Sequence, residues 1–530
     1  MGLFTKLLSL AGVDVASLDA LTLFRWVALL LFTRWMFTTL YKWKFSPTAK
    51  VPGPWFAGLG SFDFYFRLFS DKNYQVIHER HLQYGPVIRM GTRMVSISDG
   101  KLAKELLSTH RYRKPAAKYR DIFQVLLPNI FTTADPDFHR QRKRLLMPAF
   151  TWPTLRRMEE TITGAGTRPL LAKFHALAQN GQPFSVNLST EFLGLTFDVI
   201  MRLAFGESLN LIQDNDSEVF GWFGSLLRYM VITRTFSFLK DKPVPYLPMV
   251  HQGYLSKRNV VALALRKIRE RQAYLATLDR SDPKVEVPQD VLQIMLDAQD
   301  PETGANLNTE QVASEAIVQM VAGTDTTSLA LCWTVYAILR HPSCGERVIN
   351  EVLTEFPLHA ANESDIIEYD HVKARLPYLT AVIQESLRVY PPVASSLARV
   401  VPKGGLTTGE HFLPAGCTVS FSPYAINRSP LMWSQPEEFV PERWLAPEAE
   451  MDPGCKVGTL SFLSGPRACI GRNLALMEIH VTIANLIRHF HWEFAEPRFA
   501  DLEPSEHVML HVKDNEFRVK FTPRTPELLS

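Results

Sequence analysis

Phe462-Leu-Ser-Gly-Pro-Arg-Ala-Cys-Ile-Gly471 is the stretch on which the reading of this chain turns. Gly465 and Pro466 predict a tight turn, and Gly471 permits a close backbone approach. Such a turn can aim backbone N–H groups at the Cys469 sulfur, which would stabilise a thiolate and tune a bound metal. Arg467 adds a cation able to pair with an acidic group on a cofactor. From Asn473 onward, Leu474, Ala475, Leu476, Met477 and Ile479 predict a buried helix that begins at the loop. A helix N-terminus lowers the pKa of a nearby thiol. A lone cysteine is most often a small buried hydrophobe. Here Phe462, two glycines and Arg467 around it favour a metal ligand.

Three further patterns stand well upstream. Glu385-Ser-Leu-Arg388 sets a carboxylate and a guanidinium at i and i+3, on one helix face. Alone, this spacing describes many solvated salt bridges of little worth, but its flanks (Leu379, Val382, Ile383, Leu387) are apolar and Pro391-Pro392 ends the segment. A helix is predicted from Thr309 to Arg340, capped by Asn308 with Gln311 in a capping-box arrangement and stopped at His341-Pro342. At 1.5 Å per residue it would span roughly 45 Å, the width of a domain. It is apolar nearly all round, as a core helix is, except for the island Ala322-Gly-Thr-Asp-Thr-Thr327. Gly323 and three threonines weaken the local hydrogen-bond ladder; plain small-residue helix packing is the alternative. The run Phe138-His-Arg-Gln-Arg-Lys-Arg144 is strongly basic, and such runs are usually solvated faces.

Together these patterns resemble the cytochrome P-450 family. The loop F-x-x-G-x-R-x-C-x-G matches that family's haem-binding loop at every fixed position, and the resemblance runs from about residue 50 to 525. It implies haem b (iron protoporphyrin IX) with Cys469 as axial iron ligand, and Phe462, Gly465, Arg467 and Gly471 around it; an axial thiolate favours O–O cleavage. Glu385 and Arg388 would join Arg443, from Pro441-Glu-Arg-Trp444, in a structural cluster behind the cysteine loop. Asp325 and Thr326 would take the acid–alcohol roles in proton delivery, a general-acid task. For the haem propionates the family has an aromatic–x–x–x–Arg. Phe138 and Arg142 keep that spacing, whereas counting back from Pro148 selects His139 and Lys143. His139 and Arg142 are taken as ligands, with Arg399 as a further propionate arginine. Relatives that isomerise or dehydrate often lack the acid–alcohol pair, so its presence favours a monooxygenase. An isomerase, dehydratase or peroxygenase, or a non-catalytic haem binder, is the alternative.

The implied fold is mainly α with small β-sheets, a helical prism around haem. The Val87–Ser98 stretch predicts a hairpin turning at Thr92-Arg93, and further strands are expected at Leu397–Val401, Thr418–Ser422 and His507–Phe521. Asp279 to Gln289 reads as an exposed loop. The domain division is 1–45 for an N-terminal membrane anchor and 46–530 for the catalytic domain. Leu21 to Tyr41 is apolar and is followed by Lys42, Lys44 and Lys50, as in an uncut anchor with a basic cytosolic flank. Arg25 and Arg34 project to opposite helix faces, so an interfacial or buried helix is the alternative. Val51-Pro-Gly-Pro-Trp55 predicts an elbow between the two parts. Expected partners are an NADPH-dependent flavoprotein reductase, O2, a hydrophobic small molecule and a membrane, that of the endoplasmic reticulum. Arg140, Arg142, Lys143 and Arg144 are expected in a basic docking face.

Composition sets the outer bounds. The 530 residues are 46% hydrophobic and 21% charged, enough for a sizeable core. A net charge of +3 gives no reason to expect nucleic-acid binding. Five cysteines, odd in number and without a CxxC pair, argue against a disulfide framework or structural zinc.

Overall fold

Asn308 caps the longest helix, Thr309–Arg340: its side chain accepts from Gln311 N–H, the Gln311 side chain returns the bond, and His341 closes the other end. This central helix packs against Leu188–Phe205, Pro248–Thr277, Pro377–Val389 and Arg472–His489, so apolar residues can cover nearly its whole circumference. Trp333, fully buried, stacks on Tyr390 at 4.7 Å and donates its indole N–H to the Leu510 carbonyl at 2.8 Å. The computed structural model describes residues 20–59, 71–116, 119, 124–178, 181–214, 217–279, 287–358, 365–395, 397–507 and 509–524. Of the expected loop from Asp279 to Gln289, residues 280–286 lie outside the described residues.

The sheets sit at the edges of the helical body. Val87–Gly91 and Met94–Ile97 form the expected hairpin. Thr418–Phe421 adds in parallel and Leu397–Val400 closes the four-stranded sheet. Phe184–Asn187, Arg518–Pro523 and Phe490–Phe494 make a three-stranded sheet. Two hairpins, Leu406–Thr408 with His411–Leu413 and Pro504–His507 with Met509–Val512, complete the β-structure among the described residues.

At the N-terminus, Ala20–Phe45 is one helix whose Phe24, Leu31, Phe37 and Tyr41 are all exposed. The expectation of a spanning segment is not met: among the described residues no helix is long and apolar enough to cross a membrane. Arg25 and Arg34 are the physical reason, since each interrupts the apolar run. The helix is tied to the body at its far end. Arg89 donates to the Trp43 carbonyl at 3.0 Å and the Ser46 hydroxyl at 2.7 Å, and Trp43 donates to the Trp55 carbonyl at 2.9 Å. The Pro-rich elbow packs on the first strand, with Arg89 N–H on the Pro52 carbonyl at 2.6 Å.

Candidate haem-binding site

The cysteine loop folds as its glycines demand. Gly465 has φ +71°, and a Cβ there would overlap the Leu107 backbone. Cys469 N–H returns to the Phe462 carbonyl at 2.9 Å and closes the loop. Backbone N–H groups of Gly471 and Arg472, where the Arg472–His489 helix begins, point at the Cys469 sulfur. The thiol is reached from an internal cavity yet lies deep in the body. Burial therefore pushes its pKa up by more than those N–H groups and Arg472 pull it down, which corrects the expected net lowering at the helix start. A Cβ on Gly471 would meet nothing within 4 Å, so its neighbours in the protein do not require a glycine; its open side belongs to the cavity.

That cavity holds about 1490 Å³, more than the ~300–1,000 Å³ of ordinary small-molecule pockets. Phe462, Arg467 and Cys469 line one side; Ala322, Gly323, Asp325 and Thr326 line it from the central helix. The polar island behaves as its threonines predict. Thr326 Oγ1 donates to the Ala322 carbonyl at 2.6 Å, and the Thr324 carbonyl accepts from Thr196 of a neighbouring helix at 2.9 Å. Asp325 is buried. Apolar walls come from Val125, Phe223, Leu227, Ile317, Val393 and Met509.

Cations collect at another part of the wall. Lys114 is buried, lies over the rings of Tyr119 and Phe131 at 4.4 and 4.3 Å, and donates to the Phe131 carbonyl at 2.5 Å. Burial, then the charges of Arg467 and Arg399, hold its pKa well below the usual lysine value. Arg467 donates to the Ile130 and Asp135 carbonyls at 3.3 and 3.4 Å; burial and Arg399 lower its pKa to about 10. Arg399 is buried with one guanidinium nitrogen unpartnered, as is Nδ1 of His139, whose pKa burial and Arg467 lower to about 3. Among the described residues no carboxylate lies within ion-pair distance of Lys114, Lys143, Arg399 or Arg467. Buried cations without counter-charges are costly, and two acidic groups of a ligand would answer them.

Arg142 does not belong to this set. It is buried against the Phe138 ring at 4.9 Å and faces Glu315 at 3.7 Å. Lys143, not the expected Arg142, lines the cavity beside His139, and it donates to the Pro466 carbonyl at 2.8 Å. The reason is helical: i and i+4 share a face, so His139 brings Lys143 with it, and Arg142 is turned about 100° away. Of the expected basic docking face, Lys143 turns to the cavity, while Arg140 and Arg144 stay partly exposed in ion pairs. Arg142 points inward, and Arg144 is paired with Asp300 at 3.3 Å and with Glu302 at 2.5 Å. Arg140 pairs with Asp137 at 2.9 Å.

Glu385, Arg388 and Arg443 do come together. All five Arg388 N–H groups are used: two on Glu385 at 2.9 and 3.0 Å, the others on the carbonyls of Asn427, Pro436 and Glu438 at 2.6–2.8 Å. Glu385 also accepts from Arg443 at 3.2 Å, Val440 N–H at 2.8 Å and Trp444 at 2.8 Å. The family model for cytochrome P-450 matches residues 51–521. The chain belongs to the cytochrome P-450 family. It is 30% identical over 448 residues to the cytochrome P-450 monooxygenase helB1 of Aspergillus fumigatus, covering 84% of this chain and 74% of that one. To the cytochrome P-450 monooxygenase cpaH of Aspergillus oryzae it is 28% identical over 489 residues, covering 91% of each. In fold it is similar to a cytochrome P-450 crystal structure, with TM-score 0.70, 22% identity and 85% and 94% of the two chains covered. The haem domain of cytochrome P450DA gives TM-score 0.71 at 21% identity, covering 87% and 95%. Like its named relatives, this cytochrome P-450 is a monooxygenase, an oxidoreductase that incorporates oxygen.

Proposed function

We propose that the protein binds haem b through Cys469 and inserts one oxygen atom of O2 into an apolar small molecule. One observation carries this reading: the Cys469 thiol, the cations Lys114, Lys143 and Arg467, which have no carboxylate at ion-pair distance among the described residues, and the Asp325–Thr326 pair all open on a single cavity. Lys114, His139, Lys143, Arg399 and Arg467 would hold the two propionates. Gly471 and the small Ala322 leave room for a flat ring. When bound, the haem supplies activation of dioxygen and oxidation of the substrate. Thr326 and Asp325 hold and move protons on the side facing away from Cys469, and the apolar walls exclude bulk water. Those walls suit a hydrophobic secondary metabolite such as a terpenoid, polyketide or alkaloid.

Electrons would come from NADPH through a flavoprotein reductase in the same membrane. The exposed apolar surface of Ala20–Phe45, with Lys42 and Lys44 in its last turn and Lys50 beyond it, supports attachment to the endoplasmic reticulum membrane with the body, 46–530, on the cytosolic side. The acid–alcohol role is tested by Thr326→Ala in the haem-loaded chain with reductase. Hydrogen peroxide released per NADPH should rise at least severalfold while haem content holds. An unchanged ratio contradicts that role.

A further inference from the structure

The Met509–Val512 strand carries a histidine to the buried acid of the central helix. Its register is pinned on both sides: Leu510 N–H donates to the Pro392 carbonyl at 2.8 Å, and the Leu510 carbonyl accepts from Trp333 at 2.8 Å. Side chains alternate along a strand. Leu510 and Val512 enter the core, while Met509 and His511 both line the cavity. His511 Nε2 stands 3.4 Å from Asp325 Oδ2, and the ring also hydrogen bonds to the Asn515 side chain. The same cavity wall continues over Asn187, Asn515 and Arg518, and the last two are exposed. His511 thus sits between the acid and solvent.

The surrounding charges leave Asp325 as its partner. Glu191 is paired with Lys173 at 2.8 Å, Arg518 with Glu516 at 2.9 Å and Lys513 with Glu503 at 3.6 Å. Glu506, which also lines the cavity, is registered opposite Leu510, so its side chain leaves the strand pair on the face opposite His511. Burial lowers the His511 pKa, but the bond and charge of Asp325, with Asn515, outweigh it and leave it raised above the ordinary value.

We propose that His511 is a positioning residue for proton delivery, passing protons from the solvent-facing arm at Asn515 to Asp325. This rests on the acid–alcohol reading of Asp325 and Thr326 given above. In the step, the Nε2 proton moves to Asp325 Oδ2 and leaves a neutral ring protonated on Nδ1. Asp325 releases that proton toward Thr326, and the neutral ring takes up one proton from solvent, which restores the Nε2–H. Nothing is oxidised or reduced. Strand and helix hold the pair from opposite elements, so it also keeps the Asp325 carboxylate turned toward the arm.

The test uses the haem-loaded full chain. Deuterium exchange at the His511 ring carbon, followed by mass spectrometry across pH, reports the titration of that ring without any turnover. Its midpoint should lie above the ordinary histidine value of 6.5 and fall in Asp325→Asn. Equal midpoints in the two proteins overturn the pairing and the proposal with it. With reductase and NADPH, peroxide released per NADPH should rise severalfold in His511→Phe, with a flattened pH profile, and His511→Gln should recover part of the loss. If Asp325→Asn raises peroxide while His511→Phe follows the unsubstituted protein at every pH, the His511 inference falls and the Asp325 role stands. If neither changes the ratio, the acid–alcohol reading falls too.

Discussion

Two groups of buried cations flank the cysteine loop, and they are built on opposite rules. Around Glu385 every charge is answered: Arg388 spends all five N–H groups, and Arg443 adds Asp452 and the Ser434 carbonyl to its bond with Glu385. Around Arg467 the charges repel one another. Arg467 and Arg399 lower the affinity of Lys114 for protons, Arg399 lowers that of Arg467, and Arg399 keeps an unpartnered nitrogen. A closed network specifies a fold; an open one of a single sign specifies a ligand of the other. The same residue type, arginine, therefore does two jobs, and what separates them is whether the protein itself supplies the carboxylate.

The largest effect should come from breaking the closed set. Glu385→Ala leaves two arginines buried without their carboxylate, at a cost of about 3–5 kcal/mol. That is a large share of a typical net stability, so chemical denaturation should show a much lower midpoint, with or without haem. A midpoint near that of the parent would mean the set is not structural. In the open set the sign reverses. Arg467→Leu should leave the haem-free protein as stable as before, or more so, while weakening haem binding by roughly ten- to a hundredfold, the worth of a charged hydrogen bond. Haem transfer to a scavenger protein measures this. Arg142→Leu sharpens the contrast: it should lower stability by about 1–3 kcal/mol, by stranding Glu315, and leave haem transfer unchanged.

The smallest effect is a pH dependence. Burial lowers the pKa of His139 and His480 to about 3 and of His81 and His489 to about 4. A group whose folded pKa is depressed adds stability above its unfolded value, near 6.5, and that stability is lost as pH falls toward the folded value. Haem-free protein should therefore weaken steadily from about pH 6.5 to 4. Propionates beside His139 would raise its pKa, so haem loading should remove its share of the acid sensitivity. The share of His480, which has no such neighbour to gain, should persist. His480→Asn and His139→Asn, compared by melting temperature at pH 5 and 7, separate the two.

Much of this architecture was legible because it is local. The capping box at Asn308, the stop at His341-Pro342 and the Thr92-Arg93 turn depend on residues a few positions apart, and each forms as expected. The cysteine loop was legible because Gly465 has one conformational reason to exist. Errors came where facing matters. Arg142 and Lys143 differ by one residue, and only the helix's orientation against Glu315 and the cavity decides between them. Lys114 and His511 were missed because their meaning lies in distant partners: Arg467 and Arg399 for one, Asp325 for the other. The N-terminal helix formed, but its two arginines hold it below the apolarity of a span.

The central claim is a thiolate from Cys469 on haem iron. It is tested most directly by the ferrous–carbon monoxide difference spectrum of the haem-loaded protein beside Cys469→Ala. The strongly red-shifted Soret band of thiolate-ligated haem should appear in the first and vanish in the second. A folded, haem-loaded protein without that band, or a band that survives the substitution, would contradict it.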